Sequence, residues 1–163
     1  MTVARSELEA LFVRLEKPVF NVVYRWLWNR EEARDVTQEA FMKIWAARAR
    51  VDTATAEPLV FRAALNLAAN RLRARKLWGW VTLEGVFEKA AATENADQLL
   101  EGEETRAAVR KAIDGLPAKL KEVVVLCELS GLSYAQVAQT LKIPVGTVGS
   151  RRSLAMAALE KSL

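Results

Sequence analysis

Between Ser133 and Pro144 the chain spells out both ends of one short helix and the start of another, which constrains the fold more than any other stretch. Ser133 is followed three residues later by Gln136, the spacing at which each side chain satisfies a backbone N–H at a helix start. Tyr134, Val137, Ala138 and Leu141 then recur at three- and four-residue intervals. That pattern puts them on one packed face and leaves Gln136, Gln139 and Thr140 toward water. Lys142-Ile143-Pro144 ends the pattern, because proline excludes the α region for its predecessor and is itself suited to open a helix. In the next helix Val148, Ala155 and Leu159 face inward. Gly146, Thr147, Ser150, Arg151 and Ser153 face outward. The whole stretch from Gly131 to Ala157 therefore reads as a helix-turn-helix. The small, polar and basic outer surface of its second helix is one that a DNA major groove admits. An ordinary helical hairpin has the same periodicity, so the remainder of the chain has to decide between them.

At 163 residues and 52% hydrophobic, the chain has room for one ordinary domain or two small ones. No run of about 18 apolar residues marks a membrane span, and the N-terminus turns acidic where a signal peptide would turn apolar. A cytoplasmic protein is expected. With no histidine and one cysteine, zinc sites, Cys/His nucleophile pairs and disulfides are excluded or unsupported, and no cofactor is expected. Cys127 lies in the apolar run Val123 to Cys127 and reads as a small buried hydrophobe.

Helical spacing begins with Leu8, Leu11, Phe12, Leu15, Val19, Val22, Val23 and Trp26, with Pro18 expected to kink the helix or split it in two. Asn29 is placed to cap the next helix, whose first turn carries Glu31 and Glu32 where the dipole favours negative charge. There Ala33, Val36, Ala40, Ile44 and Ala47 form an inward stripe. Asp35, Gln38, Glu39, Met42 and Lys43 lie on the other side, a strongly polar outer face. Residues 49–58 (ARVDTATAEP) lack periodicity and read as a loop. A helix from Leu59 to about Trp78 follows, with Phe61, Leu65, Ala68 and Leu72 inward. Arg62, Asn66, Asn70 and Arg73 share another side, with Arg71, Arg75 and Lys76 adding charge at its end. Asn and Arg are side chains that hydrogen-bond base edges and hold phosphates alike. The apolar pattern then weakens over residues 79–104, which read as an acidic linker. It returns with Ala108, Ile113 and Leu116, and Pro117 either ends one helix or begins the next.

Charge follows the same division. Residues 1–77 hold 14 Lys/Arg and 9 Asp/Glu, residues 78–110 hold 3 and 7, and residues 111–163 hold 7 and 4. Two basic blocks flanking an acidic connector suit a polyanion that both touch, since each neutralised phosphate releases counterions.

LFVRLEKPVFNVVYRWLWNREEARDVTQEAFMKIW, then PLVFRAALNLAANRLRARK, an acidic linker, and LPAKLKEVVVLCELSGLSYAQVAQTLKIPVGTVGSR together resemble a bacterial sigma factor of the extracytoplasmic-function (ECF, group 4) type. The likeness runs over nearly the whole chain, and DVTQEAFMKIW (Asp35 to Trp45) is its most specific motif. It implies an all-α protein of two small helical domains, residues 1–78 and 105–163, joined by the linker. It implies promoter-specific initiation with core RNA polymerase, through the β′ and β subunits, and no enzymatic chemistry. By the same resemblance Asp35, Gln38, Glu39, Phe41 and Lys43 would dock on the β′ clamp coiled coil. Val51 to Glu57 and Arg62, Asn66, Asn70, Arg71 and Arg73 would capture the opened −10 element. Thr147, Ser150, Arg151, Arg152 and Ser153 would read the −35 element. An anti-sigma factor is the expected regulatory partner.

The recognition helix departs from the family's pattern. Gly149 stands where the family usually has a basic residue, Arg152 where it has Leu or Ile, and Leu154 and Met156 where it has Arg or Lys. Two readings follow: weakened −35 binding resting on Arg151 and Arg152, or an apolar surface for a protein partner. The first is preferred. A conventional helix-turn-helix regulator and a sigma-like decoy that titrates an anti-sigma factor are the alternatives.

Overall fold

The protein is described from a computed structural model over residues 4–81 and 101–163. Among these residues the structure is entirely helical. Helix α1 spans Arg5–Leu27 and α2 spans Arg30–Ala46. Two single 3-10 turns, Arg48–Arg50 and Thr53–Thr55, lead into α3, Ala56–Val81. The second part comprises α4 (Glu101–Asp114), α5 (Ala118–Val124), a π-helical turn at Val125–Leu129, α6 (Tyr134–Leu141) and α7 (Val145–Ser162). Most of the expected acidic linker, residues 82–100, lies outside the described residues, and helix occupies the two ends assigned to it.

Helix α1 runs through Pro18 as one element, so the expected break is absent. Proline removes one backbone hydrogen bond there, but Val19, Val22 and Val23 immediately beyond it are fully buried. At roughly 1.5–3 kcal/mol per buried aliphatic side chain, that burial outweighs the loss. Asn29 caps α2 as expected, its side chain accepting from the Glu32 amide at 3.0 Å. Helix α3 starts at Ala56, three residues earlier than the periodicity suggests, because Pro58 sits in the first turn, where its missing N–H would have no helical partner. Together α1, α2 and α3 pack pairwise around Leu15, Val22, Val36, Ala40, Val60 and Phe61.

In the second domain the capping box is complete. Ser133 Oγ accepts from the Gln136 amide at 3.1 Å, and Gln136 Oε1 accepts from the Ser133 amide at 2.8 Å. Lys142 takes a left-handed conformation (φ 56°) to end α6, and Pro144 stands immediately before α7. Three expectations are corrected here. Thr140 is buried, because its hydroxyl donates to the Gln136 carbonyl at 2.8 Å and so needs no water. Tyr134, expected inward, is 39% exposed at the first turn of α6. Ala108 is exposed, while Val109 beside it packs on the core.

The two domains share one core. Val123, Val125, Leu126, Val137, Ala138 and Leu141 of the second belong to the same buried cluster as α1 and α3 of the first. The run Val123–Cys127, from the end of α5 into the π turn, is apolar on every side, more than a small helix-turn-helix domain covers by itself. The surplus is buried against the first domain.

Candidate nucleic-acid interface

The outer face of α2 is open to solvent. Asp35, Gln38 and Lys43 are exposed and make no side-chain hydrogen bond or ion pair among the described residues. Glu39 is half-buried and pairs with Arg71 of α3 at 3.7 Å. Phe41 is a correction. It follows Thr37 and Ala40 on the inner face, is 6% exposed and meets Phe12 edge-to-face at 4.9 Å. It supports the polar face from behind and does not line it. Beside that face, Phe12, Val13, Glu16, Lys17, Arg34 and Gln38 border a groove of about 280 Å³ between α1 and α2. Val13 is 79% exposed and Met42 69%. Spacing along the sequence does not reveal the contribution of α1. Its one signal is Val13, an apolar residue off the buried stripe.

The segment before α3 is tied down and does not hang free. Val51 is buried, Asp52 accepts from the Ala54 amide at 3.1 Å, and the Thr53 hydroxyl donates to Glu7 at 3.0 Å. Arg14 pairs with Glu57 at 2.8 Å. On α3, Arg62, Asn66, Asn70 and Arg73 keep the spacing of one helix side, whereas Arg71 points to α2, and nearly all are engaged. Arg62 donates to the Leu141 carbonyl at 3.3 Å, Arg71 pairs with Glu39, and Arg73 donates to Asn70. Asn66 alone of the set is exposed without a partner among the described residues. Beyond them, Arg75 pairs with Glu32.

On α7, Val148 and Ala155 are fully buried and Leu159 packs beside them, as the spacing requires. Ser150 and Ser153 are exposed, and Thr147 and Arg151 are half-exposed. The Ser150 hydroxyl donates to the Gly146 carbonyl at 3.0 Å. Arg152 differs from the expected groove residue. It forms an ion pair with Glu128 of the π turn, and that hydrogen bond raises its pKa. Leu154 is 62% exposed. A Cβ built on Gly149 would meet only the Tyr134 ring, at an ordinary 3.7 Å, so packing does not require glycine there. Cys127 is partly buried, and desolvation pushes its thiol up, followed in effect by the neighbouring Glu128 carboxylate.

Two family models match the chain: sigma-70 region 2 over residues 11–77 and sigma-70 region 4 over residues 106–159. The sigma-H factor of Pseudomonas aeruginosa is 34% identical over 98% of this chain and 87% of its own length. The chain belongs to the ECF sigma-70 family. The sigma-E factor of Escherichia coli K12 is also 34% identical, over 94% of this chain and 84% of its own length. SigE of Mycolicibacterium smegmatis is 31% identical over 82% of this chain, a match that spans 52% of that protein. The fold matches CnrH, solved in complex with the cytosolic domain of CnrY, at TM-score 0.69, 22% identity, and 94% and 85% coverage of the two chains. It also matches the sigma factor RpoE of Bartonella quintana, solved with the anti-sigma factor NepR, at TM-score 0.64, 19% identity and 94% coverage of each chain. This sigma factor directs transcription initiation by RNA polymerase at promoter DNA and is not an enzyme. Among its described residues no helix is long and apolar enough to cross a membrane.

Proposed function

We propose that this sigma factor docks on the β′ clamp of core polymerase through Asp35, Gln38, Glu39 and Lys43 of α2, with the β subunit as a second contact. It captures the −10 element with the 51–57 segment and Arg62, Asn66, Asn70, Arg71 and Arg73 of α3. It reads the −35 element with Thr147, Ser150, Arg151 and Ser153 of α7. The observation that carries this reading is that Asp35, Gln38 and Lys43 of α2 are exposed with no side-chain partner among the described residues, beside a groove where Phe12, Val13 and Phe20 lie among charged and polar side chains. A solvated face needs no flanking Val13 and Met42, whereas interfaces characteristically put apolar contacts inside a polar rim.

Arg152 has to give up Glu128 before it can hold a phosphate, whereas Arg151 makes no ion pair among the described residues and is the more available cation of the recognition helix. Weak −35 affinity is the expected result, with the salt dependence flattened by about 0.9 log units for each phosphate left without a cation. Exposed Leu154 favours an anti-sigma protein as a further partner. Run-off transcription from genomic fragments, with and without the protein added to core polymerase, tests the function. Discrete new start sites are expected. Binding to core or to an anti-sigma protein with no specific transcript identifies a decoy.

A further inference from the structure

Among the described residues, two that are not glycine take a left-handed backbone, Trp28 and Lys142, both at φ 56°. There the Cβ is crowded against the following carbonyl, which costs about 5- to 30-fold in a folding equilibrium. Trp28 recovers that loss within the molecule. Its indole N–H donates to Asp114 at 3.2 Å, Arg110 stacks over its ring at 4.7 Å, and Tyr24 meets the ring edge-to-face at 5.8 Å. Lys142 recovers nothing of the kind. Its side chain is exposed and forms no hydrogen bond, ion pair or ring contact among the described residues.

The backbone alone does what the turn requires. The Lys142 amide donates to the Ala138 carbonyl and closes α6, and the Ile143 amide donates to the same carbonyl at 3.1 Å. Leu141 on one side is buried and Ile143 on the other packs on the core, so the Lys142 Cα is fixed in place. Glycine meets every one of these demands without the crowding. The dipole of α6 does favour a cation at its C-terminal end, by about 2- to 5-fold. However, α7 begins only three residues later. Its first turn holds no acidic residue and Pro144 gives it no side-chain cap, so its positive end opposes the same charge. Folding therefore does not account for a lysine at this position.

Its place in the motif does. In a helix-turn-helix the first helix crosses the DNA backbone while the start of the second enters the major groove. Lys142 lies in the link between the two, at the groove's edge, where phosphates run. The recognition helix is short of cations there, since Gly149 has no side chain and Arg152 is held by Glu128. We propose that Lys142 is a −35 phosphate contact, a rigidly mounted ammonium that carries at the turn the positive charge α7 lacks at Gly149. It positions α7 in the groove and reads no base. This inference rests on α7 being the −35 helix.

The test uses the full chain assembled with core polymerase, with core alone as the baseline. The probe is a labelled duplex that carries the −35 element of a promoter mapped by run-off transcription and ends upstream of its −10 element. Lys142→Gln removes the charge and keeps the Cβ. It should weaken binding about fivefold at about 0.15 M salt and flatten the log–log salt dependence by about 0.9. A duplex with a scrambled −35 sequence should lose the same factor, because a phosphate contact serves every sequence alike. Lys142→Arg should restore both affinity and slope. Lys142→Gly should bind as weakly as Lys142→Gln without lowering the urea midpoint of the free chain. A lower midpoint in Lys142→Gly would overturn the inference by showing that the lysine serves the fold. So would a loss confined to the −35 duplex, which marks a base contact or a displaced helix. An unchanged slope overturns it as well, and weaker assembly with core in that case assigns Lys142 to a polymerase surface instead. Arg151→Ala separates this inference from the reading beneath it. Weaker −35 binding in Arg151→Ala, beside unchanged binding in Lys142→Gln, removes only Lys142 from the interface. Unchanged binding in both variants removes α7 as well.

Discussion

Helices α2 and α3 both carry a charged outer side, yet they hold their charges in opposite states. On α2, Asp35, Gln38 and Lys43 extend into solvent unpaired. On α3, Arg62, Arg71, Arg73 and Arg75 are each bonded to a partner elsewhere in the chain. The Arg71–Glu39 and Arg75–Glu32 ion pairs are partly exposed, and exposed ion pairs are worth 0 to about 1 kcal/mol, so these two carboxylates are easily exchanged for phosphates. The difference sets an order of events in the proposed scheme. The protein face is ready at once, while the DNA face is released by an exchange of partners.

Breaking the ready side should have the largest effect. Asp35→Ala with Gln38→Ala is expected to reduce promoter-specific transcription by roughly 30- to 1,000-fold, as losing an interface hot spot of about 2–4 kcal/mol implies. Far-UV circular dichroism should not change, since both residues are exposed. A variant that transcribes normally would remove α2 from the polymerase interface. Next is the support of the recognition helix: Ser133→Ala deletes half the capping box and should lower stability by about 1 kcal/mol, read as a shift in the urea midpoint.

Gly149→Lys should steepen the salt dependence of −35 duplex binding by about 0.9 log units, as neutralising one more phosphate does. An unchanged slope would favour the reading in which α7 serves a protein partner. Smallest is a pH effect on stability. Burial, with lesser contributions from Lys76 and Arg75 and opposed by Asp114, holds the Lys121 ammonium below its usual 10.5. Its proton is therefore bound more weakly folded than unfolded. The folded state should gain as pH rises from that lowered value to 10.5, and no further beyond it. Urea midpoints measure this, and Lys121→Met should abolish the slope.

Much of this molecule is legible in its sequence because local rules agree with the fold. The capping box, the Asn29 cap, the turn at Pro144 and the inward stripes of α2 and α7 follow from spacing alone. Phe41 belongs with these, since its register with Thr37 and Ala40 marks the inner face; the family resemblance, not the spacing, put it on the docking surface. Thr140 shows a different limit: a hydroxyl that bonds its own helix backbone behaves as an apolar group, and composition cannot announce it. Lys121 is out of reach altogether. Nothing local distinguishes it from Lys119, which is exposed; only the distant carbonyl and ring of Trp26 make its burial possible. The interdomain seam leaves one trace, the valines from Val123 to Val125, too continuous for one face of a helix.

Trp26 and Trp28 sit under cations that belong to the other domain, Lys121 over one ring and Arg110 over the other. An indole's emission follows the polarity and charge around it, so parting the domains alters the light these two side chains give off. The chain thereby carries its own optical gauge: intrinsic fluorescence reports on the contact between its two domains without any label.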